Sequence, residues 1–383
     1  MEFTIERVAL QNGLMLVQGI VERRNTVPIL GHVLLEPGDA SLRLAATDLE
    51  VGVRTEVPCR TGSKGSVTLN ARKLFEVVRE AEGAEVSLKT LDNDWIEVKC
   101  GRARFKMMGL DPRSFPAMPG QSEKTTGHDS RKGVKADLKI GARVLAAMID
   151  KTLFAVSPDE ARYNLGGVMI ESPSSGVALM VATDGHRLSM VEREIEGFAM
   201  TGNAILPRKG LSELRKLLDQ GSDENEEEGA RLVIDGQLAS LERGKTELAM
   251  RLVEGEFPDY RGVIPKQSKH SIMVGRDALL AAIKRVAIFS NERYHGVRFG
   301  FAAGMLTVSS TSPETGEASE TVDVDFNGEE MSVGFNASYL IQALGVIPAE
   351  TDVVLGVSDE VSPGLLTTPA DSQFTYVVMP MRL

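Results

Sequence analysis

Apolar residues follow two rhythms along the chain. Six stretches repeat at the three-to-four-residue spacing of an amphipathic helix and predict helices over 8–21, 71–80, 143–156, 209–219, 276–289 and 336–346. Between them short segments alternate in period two, as in Ser41-Leu42-Arg43-Leu44 and Val322-Asp323-Val324-Asp325-Phe326, which is the pattern of strands with one buried face. Asn70 and Asn336 are suited to cap the helices that follow them, and Pro207 suits a helix start because its missing N–H has no partner there in any case. Helices that interrupt runs of such strands give an α+β fold with mostly antiparallel sheet.

The order of these elements recurs three times. Helix patterns from Val8 to Val21, Val144 to Val156 and Ala278 to Phe289 each lead through a polar turn to Gly31, Gly167 or Gly296, and then to a strand. Fifteen or sixteen residues after each glycine a second strand ends in threonine, at Thr47, Thr183 and Thr311. Roughly 40 residues past the glycine a second helix opens at Asn70, Pro207 or Asn336. Gly31 to Gly167 to Gly296 gives steps of 136 and 129 residues, and Asn70 to Pro207 to Asn336 gives 137 and 129, so two separate landmarks report the same shifts. Three domains are expected, over 1–127, 128–262 and 263–383, with linkers at Pro112 to Gly133 and Pro258 to Lys269. Gly221 to Gly229 (GSDENEEEG) reads as an exposed acidic loop within the second domain.

Composition narrows the class. With 383 residues, 42% apolar, 25% charged and 5% aromatic, the chain suits a globular protein of two or three domains and excludes disordered, collagenous and membrane classes. No apolar run approaches the ~18 residues of a spanning helix, and the start Met1-Glu2-Phe3-Thr4-Ile5-Glu6 does not resemble a secretory signal, so a cytoplasmic location is expected. Cys59 and Cys100 cannot form a zinc site alone, and no disulfide is expected in a reducing compartment. A net charge of −11 has the wrong sign for gripping nucleic acid over the whole surface. The charge is segregated, however. Eleven basic and six acidic residues give the predicted helices +5 and leave −16 elsewhere, with helices 8–21 and 336–346 uncharged. Helices gathered on one side would attract phosphates weakly and without reading sequence, because no aromatic platform or recognition helix accompanies them.

Ala182-Thr183-Asp184-Gly185-His186-Arg187-Leu188 is the densest polar cluster. Asp184 and His186 admit a hydrolytic reading, yet no G-x-S-x-G, P-loop or H-E-x-x-H pattern is present. The histidines at 32, 128, 186, 270 and 295 lack ligand spacing, so neither a metal nor another cofactor is expected. A strand-turn-strand connection with Gly185 at positive φ accounts for the same residues. Thr375 to Leu383 reads as an apolar strand reaching the last residue of the sequence, and such an end must be packed or form part of a binding surface.

Five segments taken in order, NTVPILG at 25–31, ATDGHRL at 182–188, RKGL at 208–211, FPDYRGVIP at 257–265 and the ending YVVMPMRL, resemble the bacterial sliding clamp family, the beta subunit of DNA polymerase III. The resemblance runs from Phe3 to Leu383. It implies the DNA clamp fold: three repeated clamp domains, each with sheet outside and two helices lining a central hole for duplex DNA, in a homodimeric ring with no catalytic activity. A clamp loader opens such a ring, which tethers the DNA polymerase III alpha subunit, other polymerases and repair factors through an apolar cleft. Carried onto this sequence, the cleft takes Leu165, Thr183, Gly185, His186, Arg187 and Leu188, then Pro258 and Val263, then Asn336, Tyr339 and Val361, and finally Val377, Val378, Met379, Pro380, Met381 and Arg382. Apolar anchors of a short linear motif would enter it, and the flexible Met379 and Met381 would accept several partners.

The resemblance also implies DNA contacts at Arg24, Tyr163, Arg208 and Lys209, joined on charge grounds by Arg72 and Lys73. Phe105 and Met107, two apart on one strand face, would meet Ile288 and Phe289 of the partner subunit. Three positions depart from the family pattern: Gly262 stands where an arginine often flanks the cleft, Pro363 where a serine is common, and Asn164 where a second tyrosine follows Tyr163. Two further readings stay open at this level. One is a clamp paralogue acting as a drug-resistant or regulatory decoy, and the other is a hydrolase using Asp184 and His186.

Overall fold

The computed structural model describes residues 1–21, 26–120, 134–219, 229–313 and 316–383. Arg24, most of the first expected linker and nearly all of the acidic loop 221–229 therefore lie outside the described residues. Six α-helices are present among those described: α1 (Arg7–Gln18), α2 (Ala71–Glu80), α3 (Ala142–Thr152), α4 (Arg208–Leu218), α5 (Arg276–Ala287) and α6 (Ala337–Gly345). Asn70 caps α2 by accepting the Lys73 N–H at 3.0 Å, and Asn336 caps α6 by accepting from Ser338 and Tyr339 at 2.9 and 3.3 Å. Pro207 does not enter the first turn of α4. It ends the strand Asn203–Pro207 and stands at the N-cap, so Arg208 is the first helical residue.

These boundaries change the charge distribution. Because α1 opens at Arg7, it is not uncharged, and Asp219 falls outside α4 as its C-cap. Thirteen basic against five acidic residues give the helices a net +8, leaving −19 on the rest of the chain. The segregation is sharper than the sequence pattern indicates.

The fold divides into two compact units. The first holds Met1–Ala146, Met200–Gly202 and Leu206–Leu252. It contains a five-stranded sheet in the order Arg60–Ser63, Glu2–Glu6, Glu85–Thr90, Trp95–Cys100, Ala103–Met108. It also contains an eight-stranded sheet in the order Lys135–Ile140, Ala230–Asp235, Leu238–Arg243, Thr246–Arg251, Val51–Pro58, Ser41–Thr47, His32–Pro37, Val67–Asn70. The eight-stranded sheet joins two repeats, since Thr246–Arg251 pairs antiparallel with Val51–Pro58. The Thr55 and Thr246 hydroxyls meet there at 2.8 Å, beside an Arg54–Glu247 ion pair. Helix α1 lies on Ser41–Thr47 and Val51–Pro58 through Leu10, Leu14 and Val17. Gly13 allows the close approach, because a Cβ there would stand 3.3 Å from both Leu44 and Val57.

The second unit holds Ala147–Ala199, Asn203–Ile205 and Val253–Leu383. Its eight-stranded sheet runs Asn203–Pro207, Gly167–Glu171, Val177–Thr183, Arg187–Glu194, Asp371–Val378, Gly364–Thr368, Asp352–Val357, His270–Gly275. Its four-stranded sheet runs Gly316–Asp323, Met305–Ser312, Gly296–Ala302, Met331–Asn336. Here too one strand pair joins two repeats, with Arg187 opposite Val378 and Leu188 opposite Val377. The strand expected over Val322–Phe326 stops at Asp323. Val324 and Phe326 remain buried, but their backbone groups bond to Gly304 at 3.1 and 2.9 Å and to each other at 3.1 Å, and so leave the ladder.

The clearest sign of repetition is a Thr-Asp turn. The Thr47 hydroxyl donates to the Val51 carbonyl at 3.0 Å, and one Asp48 oxygen accepts the Glu50 and Val51 N–H groups at 2.9 and 2.6 Å. In the second repeat Thr183 donates to the Arg187 carbonyl at 2.6 Å, and Asp184 accepts from His186 and Arg187 at 2.9 and 3.1 Å. The third residue of both turns is left-handed, Leu49 at φ 83° and Gly185 at φ 87°. Both cysteines are free thiols. Among the described residues, no helix is long and apolar enough to cross a membrane.

Candidate partner cleft and DNA-facing residues

The turn at 183–187 supplies the most ordered part of the candidate site. Arg187 and Asp184 are both buried and paired at 3.0 Å. The Arg187 guanidinium also donates to the Phe154 carbonyl at 2.6 Å and to the Gln342 side chain, and it stacks over Tyr339 at 4.4 Å. Arg187 is therefore a scaffold beneath the surface, and α6 is locked to the turn through it. The geometry does not form a hydrolytic dyad: His186 reaches Asp184 through its backbone N–H, and the carboxylate is committed to two N–H groups and a guanidinium.

The strand expected to run to Leu383 ends at Val378, and the segment after it, next to this turn, is held at two points. The Met379 N–H donates to the His186 carbonyl at 2.8 Å, and the Met381 N–H donates to the Gly334 carbonyl at 2.7 Å. The final apolar segment is thus both packed and partly open, as Met379 remains 38% exposed. Leu188 and Val377 belong to a buried cluster with Met169, Leu179, Val181, Ile205 and Tyr260, onto which Phe257, Ile264 and Leu365 pack. Val378, Leu165 and Thr183 are buried as well. Gly185, His186, Pro258, Val263, Val361, Met379 and Arg382 are exposed, while Asn336, Tyr339, Pro380 and Met381 are half-buried. Asn336 uses its side-chain oxygen as the α6 cap and donates its amide to the Tyr294 carbonyl at 3.3 Å. The residues expected to form a cleft therefore sort into a buried set and an exposed or half-buried set.

Sequence reasoning did not single out Tyr260 or Glu171. The Tyr260 hydroxyl donates to Glu171 at 2.7 Å, and burial together with that acceptor raises its pKa. Arg261 pairs with the same carboxylate and lies over the Tyr260 ring at 4.7 Å. The signal was present in the FPDYRG segment, where a tyrosine follows a proline linker.

Models of the N-terminal, central and C-terminal domains of the DNA polymerase III beta subunit match residues 1–119, 139–259 and 261–382. The beta sliding clamp of Proteus mirabilis is 38% identical over 387 residues, with 100% of each chain covered. The chain belongs to the DNA polymerase III beta subunit family. A clamp structure from Pseudomonas aeruginosa bound to griselimycin aligns with TM-score 0.88 and 35% identity over 100% of each chain. A Caulobacter crescentus beta clamp structure aligns with TM-score 0.88 and 33% identity, again over 100% of each chain.

The residues expected to contact DNA divide into two kinds. Tyr163 is 64% exposed, and the exposed Arg208 side chain has no partner among the described residues. Lys209 instead pairs with the buried Asp48 carboxylate, filling for the first turn the role that Arg187 fills for the second. Arg72 is half-buried and donates to the Val21 carbonyl at 3.1 Å, and Lys73 pairs with Glu76 at 2.7 Å. Lys209 and Arg72 are thus largely structural, because a buried carboxylate and a buried carbonyl draw them inward. Lys284 on α5, absent from the sequence-based set, is exposed with no partner among the described residues.

Each unit of the beta subunit has an open sheet edge. In the first unit Ala103–Met108 presents Arg104 and Lys106 on its exposed face, with Phe105 and Met107 half-buried on the other. In the second unit Gly316–Asp323 presents Glu317 and Asp323, with Ala318 and Val322 on the half-buried face. Just past α5, Ile288 is 74% exposed, and Phe289 is half-buried against Gly316.

Proposed function

We propose that this chain is the DNA polymerase III processivity clamp: a homodimeric ring that encircles duplex DNA and tethers polymerases through the cleft of the second unit. The observation that carries the cleft reading is its construction, in which exposed His186, Val263 and Met379 flank a buried apolar cluster and the Met379 N–H is tied to the His186 carbonyl. A preformed apolar wall of this kind lowers the ordering cost of binding a short linear motif. Its partners are the DNA polymerase III alpha subunit, the clamp loader, other polymerases and repair factors. No catalytic step is assigned, since the Asp184 carboxylate is committed to the turn.

Ring closure is supported by the two open edges, one basic and one acidic. Pairing Ala103–Met108 with Gly316–Asp323 of a second copy would set Arg104 and Lys106 near acidic residues and bring Phe105 and Met107 toward Ile288 and Phe289. Three clamp domains, bounded near 127/128 and 262/263, would each contribute two helices to the DNA side. Their net +8 gives a salt-sensitive attraction without base reading.

A replacement confined to one side chain tests the cleft. Met379→Ala should weaken binding of a peptide from the polymerase alpha subunit about tenfold, or about 1.4 kcal/mol, with the melting temperature unchanged. It should also reduce loader-dependent synthesis on long primed templates. Full peptide affinity in this variant would remove Met379 from the cleft, and wild-type protein that gives no loader-dependent stimulation would favour a decoy paralogue.

A further inference from the structure

The short helical segment Glu160–Leu165 does more than present Tyr163. Asp159 opens it by accepting the Ala161 N–H at 3.0 Å, and Arg162 breaks its regularity at φ −104°, ψ 57°. That break lets Arg162 donate to the Asp184 carbonyl at 3.0 Å, the backbone of the turn that carries Gly185 and His186. Two residues on, the Asn164 amide donates to the Glu256 carbonyl at 2.9 Å, immediately before Phe257 and Pro258. Tyr163 itself rests on Gly255, where a Cβ would lie 3.2 Å from the ring, while Leu165 is buried. Three consecutive residues therefore hold one flank of the cleft, an exposed aromatic ring, and the other flank.

We infer that the segment 159–165 is a strap that links contact with DNA at Tyr163 to the peptide affinity of the cleft, with Arg162 and Asn164 as its positioning residues. The inference rests on the clamp reading above. Both bonds already hold the flanking backbone in the free chain, and a duplex that holds Tyr163 restrains the same segment further before a peptide arrives. The peptide then meets a surface whose ordering cost has already been met, so the two ligands favour each other. Reciprocity follows: peptide in the cleft must raise affinity for duplex by the same factor.

The test measures binding of a fluorescent peptide from the polymerase alpha subunit to the intact protein at low salt, with and without a short duplex DNA. In the wild type, saturating duplex should tighten peptide binding by about fivefold or more, the lower end of ordinary coupling. Asn164→Ala should bring that ratio close to one, and the isosteric Asn164→Asp, which cannot donate to Glu256, should do the same if the alanine variant folds poorly. A residue with a merely structural role would change both affinities and leave their ratio intact. If peptide and duplex both bind the wild type and the ratio is one, the strap is refuted while the cleft stands. A ratio that survives in both variants refutes the route through Asn164. If the wild type binds no peptide at all, the cleft reading fails and the strap fails with it.

Discussion

At Asp48 and Asp184 a buried carboxylate uses one oxygen to hold two backbone N–H groups and the other to face a cation, Lys209 or Arg187. Desolvating a carboxylate is expensive unless it is paired and hydrogen-bonded, so each turn requires its cation from the surrounding structure. The turns differ at the left-handed position, where Leu49 stands in the first and Gly185 in the second. A side chain in that conformation costs ~1–2 kcal/mol, and Leu49, being 47% exposed, recovers little of it through packing. Leu49→Gly should therefore raise stability by about 0.5–1 kcal/mol in urea unfolding, after the extra unfolded-state entropy of glycine is counted. A midpoint that stays put or falls would mean that Leu49 makes contacts outweighing its strain.

At the level of elements, the joint between Arg187–Glu194 and Asp371–Val378 is fixed by one carboxylate shared between Arg193 and Lys151. Burial alone would raise the Asp371 pKa, but the hydrogen bonds from Arg193 and Lys151 outweigh it and hold the carboxyl below its ordinary range. The stability contributed by a depressed carboxyl is fully present above the unfolded value of ~3.9 and is lost as pH falls through the lower folded value. Asp371→Asn should cost about 2–4 kcal/mol at neutral pH, since it leaves two mostly buried cations unpaired. It should also flatten the decline in stability below about pH 4. An acid-unfolding profile identical to wild type would remove Asp371 from the account.

The open edges make a second prediction at this scale. Because Ile288 is exposed within its own chain, Ile288→Asp should leave the fold intact yet oppose burial of the apolar set at ~25 cal/mol per Å². Sedimentation should show monomers, and an unchanged dimer would place the interface elsewhere. Charge on Arg104, Lys106, Glu317 and Asp323 should make the wild-type dimer weaker as salt rises.

For the whole molecule, retention on DNA should be topological rather than adhesive. Only part of the basic helix charge is free to meet phosphates, since Lys209 and Arg72 serve internal groups. Protein loaded on closed circular DNA should survive moderate salt and be lost when the circle is cut. Equal retention on both forms would contradict a ring.

Local order was legible in the sequence because it depends on neighbours a few residues apart. Helix periodicity, the Asn70 and Asn336 caps and the turn at Asp184-Gly185 are of this kind, and each is found within a few residues of its expected place. The residues that the family resemblance implies for the cleft all fall in the second unit. The tertiary structure alone decided which charges are available. Lys209 and Arg208 are adjacent and chemically similar in sequence, yet one neutralises a buried carboxylate from the first repeat and the other is exposed. Likewise Arg187 is among the cleft residues that the resemblance implies, but α6 and Phe154 enclose its guanidinium. Solvation and ion pairing depend on distances in space that no residue spacing encodes, so the elements could be read from the chain, while the roles of its charged side chains could not.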